Sequence, residues 1–507
     1  MANVEPGEAT IPSFDSMNRY EALTTYLRES DALQSASRLL QWDQEVMMPP
    51  MGDAARSEAQ AALAKIHHQR ITSTQLDELA SESAANSQPG SIEARQAQLV
   101  LRDIDRNRRV SVNLVEELAK TCARSQAVWQ KAREARDFGM FRPHLEEVVR
   151  LKRAEGECLH TQGQSPYDAL LNDYEFGMGT REWDAILDAL EPRLQALLPK
   201  ILAHQEKARK RVAACTALRG PFAAADQMEA GKYLATAIGY DFAQGRLDLS
   251  IHPFSETMHA GDSRITTRLD PTDLTSSFFS VLHETGHALY EQGLPPQWAG
   301  TPLGMAVSMA VHESQSRLWE NIVGRSRAFW TREKPTVDGL IPQFKDIPLD
   351  TFLEEANLVR PTLVRTESDE VTYNLHILIR YRLEKLLISG DLVVADLPEA
   401  WNQAYQKMLG VVPGNLVEGV LQDVHWASGS FGYFPTYTLG NLLSAQFYAA
   451  AAKVVDVDDP AALRGWLRRE IHSRGHLLDT QELVRTVTGN DLSAEAFVTY
   501  LEGKYLA

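Results

Sequence analysis

Two histidines four residues apart with a glutamate between them, His283-Glu284-Thr285-Gly286-His287, are the residues of this chain best suited to chemistry. On a helix, positions i and i+4 lie about 40° apart around the axis and about 6 Å apart along it, so both imidazoles face the same way. Two such nitrogens can hold one metal ion, and Glu284 beside them can take a proton from a water that the ion polarises. That is hydrolytic chemistry, provided that a third protein ligand is found and one position is left for solvent.

The third ligand must come from elsewhere in the chain. The segment Ala310–Glu320 has the apolar spacing of a second helix, flanked by Met309, Leu318 and Ile322, and it carries Glu313, 26 residues after His287. Between the two segments, Gly293, Pro295, Pro296, Gly300 and Pro302 predict the end of the first helix and a turn of the chain. A return helix packed beside the first would present Glu313 to the ion. His312 competes for the same role; adjacent helical residues diverge by about 100°, so only one of the two faces the ion. Phe278, Phe279, Val281, Leu282, Ala288 and Leu289 surround the motif. A bare His-Glu-His group among them would be costly to bury without a metal or partners.

The elements that must position these groups are mostly helical. Helical periodicity recurs in Arg19–Leu40, Met51–Ile66, Ile92–Arg106, Asn113–Arg136, Phe141–Cys158 and Trp183–Val212, and Phe278–Tyr290 reads as the helix of the motif. Loops are expected at residues 84–91 and at Gly220-Pro221. Sheet-like alternation occurs just before the motif, in Arg246–Ile251 and Asp262–Leu269, which predicts a small sheet beside the metal helix. A free edge there could take an extended peptide as an added strand. The basic run Lys207, Arg209, Lys210 and Arg211 reads as the end of a long helix.

Composition narrows the function. With 507 residues, 44% of them apolar and 23% charged, the chain can bury a large core. A formal net charge of −17 argues against nucleic acid and anionic membrane surfaces as partners. Met1–Ser16 carries acids and no lysine or arginine, unlike a signal peptide, and the apolar run from Leu442 to Val455 is interrupted by Ser444, Gln446 and Lys453. Cys122, Cys158 and Cys215 are odd in number and widely spaced, offering neither a disulfide framework nor a thiolate metal site. A cytoplasmic location is expected.

Several further motifs make the chain resemble the thermostable carboxypeptidase family, the carboxypeptidase Taq-like HExxH metallopeptidases. They are Leu40-Gln41-Trp42-Asp43, His252-Pro253-Phe254, Asp262-x-Arg264-x-Thr266, His283-Glu284-x-x-His287, His312-Glu313-Ser314-Gln315, Gly419-x-x-Gln422-Asp423-x-His425-Trp426 and Gly432-Tyr433-Phe434-Pro435-Thr436-Tyr437, with Gly440-Asn441 following. They occur in the family's order over nearly the whole chain. One departs from it: Ile-Arg-x-x-Ala-Asp is here Val364-Arg365-Thr366-Glu367-Ser368-Asp369, which keeps the arginine and the aspartate.

The resemblance implies a mainly α, two-lobed helical body with a long cleft and a small β-sheet beside the HExxH helix. The N-terminal helical lobe would run roughly over 1–220 and the metal-site lobe roughly over 221–507. It implies a zinc-dependent carboxypeptidase, with cobalt as a possible substitute, that trims peptides with a free C-terminus with broad specificity and works as a homodimer. His283, His287 and Glu313 would be the metal ligands, Glu284 the catalytic carboxylate and Arg365 the partner of the substrate carboxylate. Arg264 is a second candidate cation, with a structural pair to Asp262 as its alternative, and His252 a candidate pocket residue. His425 and Tyr433 are candidate oxyanion donors. Asp423 is a candidate for orienting a ligand histidine. Two competing functions remain: a zinc oligoendopeptidase of similar body, and a binding protein with a dead site. The four intact site residues speak against the second.

Overall fold

Why the ligand-bearing segments form helices, and why those helices touch, is visible in a computed structural model that describes residues 17–506. The acidic segment Met1–Ser16 lies outside the described residues. Among the described residues the fold is mainly helical with one three-stranded sheet. No helix among the described residues is long and apolar enough to cross a membrane. Cys122, Cys158 and Cys215 are free thiols.

The chain forms two compact units. The first contains the described residues up to Arg108 together with Pro295–Met305. Its core is built by Ala22, Leu23 and Tyr26 from helix Arg19–Val46, Leu76, Leu79 and Ala80 from helix Thr74–Asn86, and Ala97, Val100 and Ile104 from helix Ile92–Arg109. Asn18 and Ser73 cap the first two of these through side-chain oxygens that accept from Glu21 N and Leu76 N. Helix Asp53–Ile71, rich in alanine as its sequence predicts, buries no residue. It is tied instead by polar bonds, among them Arg70 to Ser30 Oγ at 2.9 Å.

The second unit, Arg109–Leu294 with Ala306 onward, carries every candidate site residue. The HExxH helix spans Leu274–Glu291, and Asp273 caps it by accepting from Thr275 N. Phe278 is fully buried; it stacks on Trp330 with ring centroids 5.5 Å apart and meets Phe344 edge-on at 5.8 Å. A helix apolar on nearly every face is a core element, which fixes the histidine-bearing turn rigidly. The return helix, Met309–Arg317, starts at its cap Ser308 and continues into a π-helical turn, Leu318–Val323.

Two glycines let the return helix come close. A Cβ on Gly286 would lie 2.6 Å from Gln315 O and from Ser316 Cα, and one on Gly440 would lie 2.6 Å from Glu313 Cγ. Gly440 belongs to helix Pro435–Ala451. The segment bearing Glu313 is therefore seated between two helices at positions where only hydrogen fits.

The sheet consists of β1 (Leu247–Leu249), β2 (Ser255–His259) and β3 (Asp262–Thr267), in the order β1-β3-β2. β1 runs parallel to β3, with Leu247 opposite Ile265, and β2 runs antiparallel, with Ser255 opposite Ile265. Leu247 and Ile265 pack with Val281 and Ala288 of the HExxH helix, and Thr267 Oγ1 meets Ser280 Oγ at 2.7 Å. The sheet thus stands beside the metal helix as expected. β2 was not expected: Ser-Glu-Thr-Met-His lacks apolar alternation, and only Met258 in it is buried.

The span expected as one helix, Trp183–Val212, is two, Thr180–His204 and Glu206–Ala214. The break falls at Gln205, whose amide donates to Asn357 O at 2.8 Å and accepts from Val359 N at 2.9 Å. The basic run therefore lies in a separate short helix rather than at the end of a long one, and Arg211 pairs with Glu354.

Candidate metal centre

His283 and His287 project from one face of the HExxH helix, and their Nε2 atoms lie 3.7 and 3.3 Å from Glu313 Oε2 on the return helix. One ligand atom from each lies within 4.8 Å of the others. Atoms bound at about 2.0–2.1 Å to one tetrahedral ion are about 3.3–3.5 Å apart, so the three groups fit a shared ion. Glu313, not His312, joins the cluster.

Each of the three groups is held from behind. His283 Nδ1 lies 2.9 Å from Glu320 Oε2, a residue of the π-helical turn. His287 Nδ1 lies 2.6 Å from His312 Nδ1, and His312 Nε2 lies 2.9 Å from Glu291 Oε1. Glu313 accepts from Arg317 Nε at 2.6 Å and from Ser316 Oγ at 3.0 Å. Burial works against the Glu313 carboxylate, but Arg317 and the histidines outweigh it and hold the group well below the usual range. Burial lowers His287 to about 3, which leaves a neutral imidazole with a lone pair for a ligand.

Glu284 differs from Glu313 in environment. It is buried, and among the described residues no side chain hydrogen-bonds its carboxylate. Burial raises its pKa to about 7, with His283 opposing and Glu313 and Glu320 adding to the rise. A carboxyl poised near neutrality beside a metal site suits a group that must both take and give a proton.

A second cluster surrounds Arg365. Its Nε and Nη2 donate to Asp423 Oδ1 at 3.0 and 2.8 Å, and its Nη1 donates to Tyr373 Oη at 2.9 Å. Arg380 Nε takes the other oxygen of Asp423 at 2.7 Å. Asp423 therefore bridges two guanidiniums and does not orient a ligand histidine, and Arg365 pairs with neither Glu367 nor Asp369. The cluster adjoins the triad: Arg317, bonded to Glu313, lies 4.6 Å over the ring of Tyr373.

His425 and Tyr433 belong to the same neighbourhood. His425 Nε2 lies 3.3 Å from Tyr437 Oη, and the His425 and Tyr433 rings are 5.5 Å apart. Burial, with Arg365 adding, lowers His425 to about 4. Burial pushes Tyr433 up to about 12, with Glu313 contributing, so the phenol keeps its proton at neutral pH. Arg264 and His252 lie on the sheet side. Arg264 grips Asp262 with two bonds of 2.8 Å, while His252 is exposed and its carbonyl accepts from Ser250 Oγ at 2.6 Å. Thr266 links the two motifs by accepting from Phe254 N at 2.9 Å.

Sequence reasoning missed Glu320, Arg317, Glu291, Tyr373 and Arg380. Spacing could have found three of them. Glu291 is the next i+4 step after His283 and His287, and Arg317 and Glu320 follow Glu313 at i+4 and i+7 on one helical face.

The family described as Carboxypeptidase Taq (M32) metallopeptidase matches residues 22–505. "Thermostable carboxypeptidase 1" of Thermus thermophilus is 41% identical, over 96% of this chain and 98% of that protein. "Carboxypeptidase 1" of Bacillus subtilis is 34% identical over 94% and 96%. The crystal structure of an M32 carboxypeptidase from Deinococcus radiodurans R1 superposes with a TM-score of 0.90 at 36% identity, covering 96% of this chain and 99% of that one.

Proposed function

The chain belongs to the carboxypeptidase Taq (M32) metallopeptidase family, and on that premise we propose that it is a zinc carboxypeptidase that releases single residues from free peptide C-termini with broad specificity. The observation that carries this is the meeting of His283 Nε2, His287 Nε2 and Glu313 Oε2 beside the uncommitted carboxylate of Glu284. Family membership implies a divalent metal; two histidines and one glutamate are the donor set of a catalytic zinc site, and cobalt would substitute. When bound, the ion would polarise the scissile carbonyl and acidify water.

The remaining steps fall to side chains. Glu284 removes a proton from the attacking water and returns it to the leaving amine. Tyr433, a protonated phenol, and His425 are the proposed donors to the developing oxyanion. Arg365 is proposed to receive the substrate carboxylate. Charge counting supports this. Arg365 and Arg380 share the single carboxylate of Asp423, and burial, with both arginines adding, holds His376 well below its ordinary pKa and therefore neutral. The group carries one excess positive charge, and a peptide C-terminus would neutralise it. The expected roles of Arg264 and His252 as further substrate contacts stay part of the proposal. The homodimer implied by the resemblance and a cytoplasmic location, supported by three free thiols, also belong to it.

An endopeptidase of similar body is not favoured, because the relatives carry carboxypeptidase names. The test is mass spectrometry of timed digests of one peptide in free and C-terminally amidated forms. Ladders of single-residue loss are expected from the free form only, abolished by chelation and restored by zinc or cobalt. Internal fragments, or equal trimming of both forms, would refute the exopeptidase proposal.

A further inference from the structure

The two ligand histidines are supported differently. His283 Nδ1 meets a carboxylate directly, Glu320 Oε2 at 2.9 Å. His287 Nδ1 meets another imidazole, His312 Nδ1 at 2.6 Å, and the carboxylate of Glu291 stands one ring further out, 2.9 Å from His312 Nε2. The two rings are tilted by 32° with centroids 4.7 Å apart. We propose that His312, backed by Glu291, is the positioning residue for His287. It fixes which nitrogen of His287 carries the proton and holds the HExxH helix to the return helix outside the metal site. The inference rests on the metal-centre reading of His283, His287 and Glu313.

Proton counting gives the direction of the chain. Two ring nitrogens 2.6 Å apart share one proton, so one donates and the other accepts. A ligand nitrogen needs a free lone pair. With His287 Nε2 turned to the ion, the His287 proton sits on Nδ1 and is donated. His312 Nδ1 must then be the acceptor, which puts the His312 proton on Nε2, where Glu291 Oε1 takes it. Partners of this kind orient a ligand ring and raise its basicity.

Position in the fold explains why His312 does this and is not itself a ligand. It precedes Glu313, so its side chain leaves the return helix about 100° away from that of Glu313. Glu313 reaches the Nε2 side of His287 and His312 reaches the Nδ1 side. Glu291 lies one helical turn beyond His287 and closes the chain onto the helix where it began. His312 and Glu291 retain 22% and 21% side-chain exposure, so substitutions there are not core deletions.

The test uses the full chain, stripped of metal, with zinc affinity measured by competition against a chromophoric chelator. His312→Ala should weaken zinc binding about 10- to 100-fold. His312→Asn, whose amide oxygen takes the place of Nδ1, should recover most of that loss. His312→Phe, which keeps the ring and lacks the acceptor, should not. Melting curves of the metal-free variants identify any that fail to fold, and the Asn and Phe pair remains decisive if Ala does fail. Wild-type affinity in both the Ala and Phe variants would overturn the inference, as would equal weakening in Asn, Ala and Phe. A wild-type protein that binds no zinc would overturn the metal-centre reading itself, which is a different outcome from a tight wild type with indifferent variants.

Discussion

Glu284→Gln is expected to lower kcat by about 10²- to 10⁴-fold while the protein keeps its full complement of metal. Glutamine has the size and shape of glutamate but offers no basic oxygen, so the attacking water loses its proton acceptor and the leaving amine its donor. Glu284 is not among the three converging ligand groups, and metal content should therefore not change. Steady-state kinetics and metal analysis on one preparation check both halves. A variant within a few-fold of wild type would assign the proton transfers to another group. A variant that lost its metal would place Glu284 among the ligands.

Arg365→Ala is expected to lower kcat/KM for free peptides by about 30- to 150-fold, which corresponds to about 2–3 kcal/mol for a charge-assisted contact. The substitution does not strand Asp423, because Arg380 still holds its second oxygen. Some stability is lost with the bonds to Asp423 and Tyr373, so fold damage must be separated from substrate binding. The melting temperature and metal content of the variant, read beside the split between KM and kcat on the free peptide, do this. Loss of carboxylate recognition raises KM while metal content and folding stay near wild type, whereas general damage to the site lowers metal content or stability as well. An unchanged KM would remove Arg365 from substrate recognition.

The parts of this molecule that could be read in the sequence are those governed by local periodicity. The HExxH helix and the return helix follow from a turn of 3.6 residues and the glycine- and proline-rich segment between them, whereas periodicity says only that one of His312 and Glu313 faces the ion; the resemblance pointed to Glu313. β1 and β3 were legible because apolar or β-branched residues alternate with polar ones along their sequences; β2 was not, since it lacks that alternation and only Met258 in it reaches the core. The break at Gln205 depends on a side chain reaching residues 357–359, a contact that no local pattern records. Arg365 shows the same limit. Its sequence neighbours Glu367 and Asp369 are the obvious partners, yet Asp423, 58 positions away, takes that place because helix Tyr373–Ser389 brings Arg380 to the same carboxylate. The groups behind the ligand histidines sat at readable helical spacings, but which nitrogen each one meets is a matter of packing.

The most direct measurement is anomalous diffraction at the zinc absorption edge from crystals grown with zinc. One strong peak is expected, about 2.0–2.2 Å from His283 Nε2, His287 Nε2 and a carboxylate oxygen of Glu313, with Glu284 near it and not bound. A zinc peak elsewhere in the molecule, or none between these three side chains, would contradict the assignment of the site.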